Sequence, residues 1–147
     1  MNPSFLNQEL YLKYEAMFAE KQEAWDFLKL SNAYFEVVDD LIDEPKDVEL
    51  IKRCTALAGL FYNHTYWIKH RTTLWIVERL IRCQYLDSVQ WEKSEEEWKR
   101  RDAKVLSHAS VNLVFTVVLI EFGQNVLDDF SSEFRENAHK LHLGDKI

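Results

Sequence analysis

Apolar residues recur along this chain at three- and four-residue steps, the period of an amphipathic helix. The first such stretch covers residues 4–21, with Ser4 as cap and Leu10, Tyr14, Met17 and Phe18 at helical spacing. The second covers 23–43, continuing from the first, with Trp25, Leu28, Phe35, Val38 and Ile42 on one face. Pro45 disfavours α geometry at Glu44 and predicts its end. A third runs over 47–57, between an N-cap at Asp47 and a stop at Gly59. The fourth is long, 64–92, with one stripe through Trp67, His70, Leu74, Val77, Ile81, Tyr85 and Ser88. The fifth, 94–122, is charged in its first half and apolar nearly all round in its second, and Gly123 ends it. A turn at Leu127-Asp128-Asp129 leads into a short helix over 131–141, with Asp129 and the serines as caps. No repeat, linker or low-complexity tail interrupts the pattern. The expected fold is all-α: one domain over residues 1–147, a bundle of about five to six mostly antiparallel helices.

Composition agrees. The chain has 147 residues, 47% of them apolar, and only three Gly and two Pro, enough for one core and too few breakers for a many-turned β fold. Its formal charge of -7 repels phosphates, so neither nucleic acid nor an anionic membrane is expected as a partner. The basic run Lys99-Arg100-Arg101 follows Glu95-Glu96-Glu97, the order of helix-surface ion pairs. Cys54 and Cys83 lie far apart with no CxxC, which supports neither zinc nor a disulfide framework. The N-terminus lacks the basic and apolar regions of a signal peptide. The apolar run 111–120, broken by Asn112 and Thr116, is too short to span a bilayer. A soluble, cytoplasmic protein is expected. Five Trp and nine Phe leave enough aromatic surface for a homodimer.

The one charge anomaly is EVVDDLIDEPKD, residues 36–47. At about 100° per residue, Asn32, Glu36, Asp39, Asp40 and Asp43 share roughly a third of a helix circumference. Lys29 is the one cation on the stripe, at its upper end. Like charges at i,i+3 and i,i+4 oppose the helix by about 0.2–0.5 kcal/mol a pair. Carboxylates at a helix C-terminus also oppose the macrodipole. A divalent cation would offset both, so Glu36, Asp39, Asp40 and Asp43 are candidate ligands for Mg²⁺ or Mn²⁺, with no organic cofactor. The alternative is a solvated face, with Asp43 or Glu44 leading into the next helix. Glu92, at the end of the fourth stripe, either marks where that helix leaves the core or points inward as ligand or base. His108, Asn112 and Thr116, at i, i+4 and i+8, are either satisfied core polar groups or a second wall of the acidic site. In the second case His108 is a candidate catalytic group and Asn112 a candidate binding group. His70 carries the same two readings.

Two resemblances attach to these residues. Asp39-Asp40-Leu41-Ile42-Asp43 resembles the DDxxD motif of trans-isoprenyl diphosphate synthases and class I terpene synthases, all-α enzymes whose acids hold Mg²⁺ on a diphosphate. Asp128-Asp129 through Ser132 to Glu136 fits the spacing of their second metal motif. Over about residues 35–142 the chain resembles small helical proteins, largely from phage, that share a W-D-D-L-V/I-D motif and have no established function. The corresponding residues here are Val38-Asp39-Asp40-Leu41-Ile42-Asp43, Phe61-Tyr62, Tyr85, Ser88, Glu92, Ser110, Asn112, Phe122-Gly123 and Arg135. Val38 stands where those proteins carry Trp, Asn112 where they carry Asp, and Gly123 is single. What this resemblance implies is an acidic helical pocket of Asp39, Asp40, Asp43 and Glu92, in the cytoplasm of a host cell if the chain is phage-encoded.

Three functions are therefore in view. One is a Mg²⁺-dependent acidic site acting on a diphosphate, nucleotide-like or other phosphate-containing small molecule. The second is a non-catalytic interaction protein whose acid stripe docks on a basic partner. The third is a helical nucleoside-triphosphate pyrophosphohydrolase, to which Glu36-Val37-Val38-Asp39 contributes an E-x-x-D fragment. No P-loop, nucleotide fingerprint or nucleophile constellation decides whether the chain is an enzyme.

Overall fold

The computed structural model describes residues 6–142. These are all-helical, with no strand among them, in more and shorter segments than the expected five or six. In chain order they are α1 (Gln8–Met17), α2 (Gln22–Asp43), α3 (Val48–Tyr62), α4 (Thr65–Lys69), α5 (Arg71–Trp91), α6 (Glu97–Leu106), α7 (Val111–Phe122) and α8 (Gln124–His142). The chain forms two compact units, Met1–Arg71 and Thr72–Ile147.

In the first unit, caps set the helix starts. The Asn7 side chain accepts from Leu10 N at 2.8 Å, opening α1 later than expected; Ser4, the expected cap, lies outside the described residues. Asp47 Oδ1 accepts from Glu49 N at 3.0 Å and Leu50 N at 3.1 Å, fixing the start of α3 as its sequence requires. Glu44 caps the end of α2, one residue before Pro45. Gly59 does not stop α3. Its φ is not positive, so it lacks the left-handed backbone of a helix terminus, and the helix runs on to Tyr62.

The core of this unit is aromatic. Phe61, fully buried, lies 5.2 Å from Phe27, 5.2 Å from Tyr34 and 5.0 Å from Trp67, measured between ring centroids. Phe27 also stacks on Tyr66 at 5.3 Å. Trp25 stacks on Phe18 at 5.3 Å and meets Tyr11 at 5.6 Å, which ties α1 to α2. Tyr11 takes an inward place on α1 where Leu10 was expected, and Leu10 is half-buried. On α2 the inward residue near the C-terminal end is Val37, whereas Val38 is half-buried and Ile42 is exposed.

The long helix expected over 64–92 is divided. His64 Nδ1 accepts from Tyr66 N at 3.1 Å, capping α4, and His70 closes that helix before α5 begins. On α5, Leu74, Glu78, Ile81 and Ser88 are buried. The helix expected over 94–122 is also broken. Around Ser107–Ser110 the bonds shorten to i→i+3, from His108 N to Val105 O through to Leu113 N and Ser110 O. Ser107 Oγ meanwhile donates to Lys104 O at 2.7 Å, a local alternative to the helical ladder. By length and composition alone, Glu97–Phe122 would suffice to cross a membrane. Only 28% of its most apolar 18-residue window is buried: Leu113, Phe115, Val117 and Val118 of α7 lie inside, with Phe115 packed on Phe130 and Phe134 of α8, whereas Val105 and Leu119 are exposed. Gly123, at φ 87 and ψ 176, ends α7 as expected. The expected turn at Leu127-Asp128-Asp129 is helical: α8 starts directly at Gln124, so that Asp129 lies inside a helix and caps nothing.

Candidate functional site

The acid stripe occupies the last turns of α2. Asp39, Asp40 and Asp43 are exposed, as is Glu44 at the cap, while Glu36 is half-buried. Lys29 turns away from the stripe to Asp26, at 3.5 Å. Among the described residues, no Lys, Arg or His lies within ion-pair distance of Asp40, Asp43 or Glu44. One oxygen of Glu36, Oε1, is buried without a hydrogen-bond partner.

This donor set does not fit a bound Mg²⁺ or Mn²⁺ as placed. Among the described residues, no three His, Cys, Asp or Glu side chains converge where a metal ion would sit. A hard cation needs several oxygens at about 2.1 Å, whereas these carboxylates spread along a solvated helix end.

The other candidates lie in the second unit. Glu92 is exposed, one residue beyond α5, so it marks where the helix leaves the core. His108 is half-buried in the turns joining α6 to α7. Asn112 is exposed at the start of α7, which removes its reading as a buried core amide, and its carbonyl accepts from Thr116 Oγ1 at 2.7 Å. The break before α7 shifts His108 out of helical register with Asn112 and Thr116. His70, in the first unit, is half-buried, its ring 4.5 Å from Tyr66. Asp128, Asp129, Ser132 and Glu136 are exposed on α8, and Gln124 Nε2 donates to Asp128 Oδ1 at 2.7 Å. Arg135 lies over the ring of Phe115 at 5.0 Å. Lys99 pairs with Glu96 at 3.3 Å, a helix-surface pair of the kind expected.

Two features escaped the sequence reading. Glu78 is buried on α5 and receives Arg82 at 2.6 Å; the i,i+4 order of acid before base was the available signal. The indoles of Trp91 and Trp98 meet edge to face at 5.5 Å, with the Lys99 ammonium within 5.9 Å of both. Each partner alone looks like an ordinary surface residue in the sequence. Comparison with protein families, with curated proteins and with solved structures finds no match for this chain.

Proposed function

We propose that the chain is a helical interaction protein whose acidic α2 terminus docks on a basic segment of a partner protein. The observation that carries this reading is the group of exposed carboxylates, of which Asp40, Asp43 and Glu44 have no cation at ion-pair distance among the described residues. Such a patch is costly to the isolated helix. A basic partner removes that cost on binding and is steered to the site over a Debye length. Exposed Ile42, on the same helix end, and exposed Val48 and Ile51 just beyond it give the patch apolar contacts as well. The partner segment that fits is rich in Lys or Arg with one or two apolar side chains.

Calorimetric titration with a Lys/Arg-rich amphipathic peptide tests the proposal. The expected result is binding that weakens steeply with salt and is lost in the D40N/D43N/E44Q variant. Equal affinity of variant and wild type would refute it. Saturable stabilisation by Mg²⁺ that the same variant abolishes would favour the phosphate-directed metal site instead.

A further inference from the structure

Helix α5 has one buried face and one exposed apolar face. The buried face carries Leu74 and Ile81 together with Glu78 and Ser88. The other carries Trp75, Ile76, Leu80 and Leu86, which are 50%, 54%, 58% and 49% exposed. At about 100° per residue these four fall within about 140° of the circumference, with Arg79, Cys83, Asp87 and Gln90 on the same arc. So much apolar surface along one 21-residue helix is more than scattered single residues would leave.

The polar residues of the arc specify what covers it. Arg79 and Asp87 stand four residues on either side of Cys83, about 6 Å along the axis in each direction and about 40° to opposite sides. Leu80 and Leu86 stand three residues on either side of the same point. A second α5 running antiparallel, with its two-fold axis at Cys83, therefore brings Asp87 of each copy level with Arg79 of the other. Leu86 comes level with Leu80, and Gln90 with Ile76. The arc is self-complementary, as an isologous interface requires. Arg79 is set for this role: its guanidinium lies 5.2 Å over the exposed Trp75 ring, and Glu78, its neighbour at 3.7 Å, is held more closely by Arg82 at 2.6 Å.

We propose that the exposed face of α5 is a dimer interface, occupied by a second copy of this chain packed antiparallel about Cys83. This face belongs to the second unit and the acidic α2 terminus to the first, and neither proposal depends on the other.

Sedimentation equilibrium of the full chain, together with charge reversal, tests it. The wild type is expected to dimerise reversibly at micromolar concentration. Arg79→Glu or Asp87→Arg alone, by placing like charges face to face, should weaken the dimer about tenfold or more. The R79E/D87R double variant should restore it. Helices packed 8–10 Å apart place two Cys83 side chains near the axis within reach of one another. In a Cys54→Ser background, a short bis-maleimide should therefore join two chains through Cys83, which is exposed and free. A monomer at all concentrations, a dimer indifferent to the reversals, a double variant that stays weak, or Cys83 thiols that fail to cross-link would each overturn the proposal.

Discussion

Asp43 is the last residue of α2, and neutralising it should stabilise the protein. Its carboxylate lies at the negative end of the helix dipole, a placement that costs about 0.3–1 kcal/mol. It also sits i+4 from Asp39 and i+3 from Asp40, and each like-charge pair costs about 0.2–0.5 kcal/mol. Asp43 is exposed, with no cation at ion-pair distance among the described residues to offset these costs. Exposure and screening favour the lower part of those ranges, so Asp43→Asn should gain about 1 kcal/mol. For a chain of this size that raises the melting temperature by about 2–4 °C. The assay is thermal and urea unfolding of both proteins at low and at high salt. The gain should shrink as salt shortens the Debye length, because its source is exposed charge. A loss of stability in Asp43→Asn, or a gain indifferent to salt, would show that no such repulsion acts at this helix end.

The two described glycines should respond oppositely to alanine. Beyond the adjoining backbone, neither has an atom within 4 Å of where a Cβ would stand, so backbone conformation decides. Gly59 lies inside α3, and Gly59→Ala should stabilise by about 0.5–1 kcal/mol. Gly123, at φ 87 and ψ 176, occupies a region open essentially to glycine, and Gly123→Ala should cost about 1–3 kcal/mol; urea unfolding of both variants measures the contrast. Phe61→Ala removes the fully buried hub of the aromatic cluster and should cost about 3–5 kcal/mol by the same assay.

The sequence was most legible where local chemistry decides the structure. Asp47 as a cap, Pro45 as a stop and Gly123 as a terminus each act through their own backbone or their nearest neighbours. The helices that broke, at His70 and at Ser107–Ser110, were harder to see because the apolar period runs through both breaks and the local bonds that interrupt it leave no gap in the pattern. The register of α2 could not be read to one residue, because Val37 and Val38 are both apolar and only packing chooses between them. The acid stripe was visible from its spacing, but its exposure was not, since the same i,i+3 and i,i+4 pattern serves a metal site and a solvated face alike. The exposed arc of α5 was hidden for a related reason: one stripe accounts for the buried face, and the remaining apolar residues register as background.

As proposed, the acidic α2 terminus is a solvated docking surface and not a cation site. Melting temperature measured against Mg²⁺ and Mn²⁺, with NaCl controls of matched ionic strength, separates the two. Every salt of matched ionic strength should give the same small screening shift, larger in the wild type than in D39N/D43N, whose stripe carries less charge. A saturable rise specific to the divalent ions, about 2.7 kcal/mol at a hundredfold excess over the dissociation constant and absent from D39N/D43N, would contradict it.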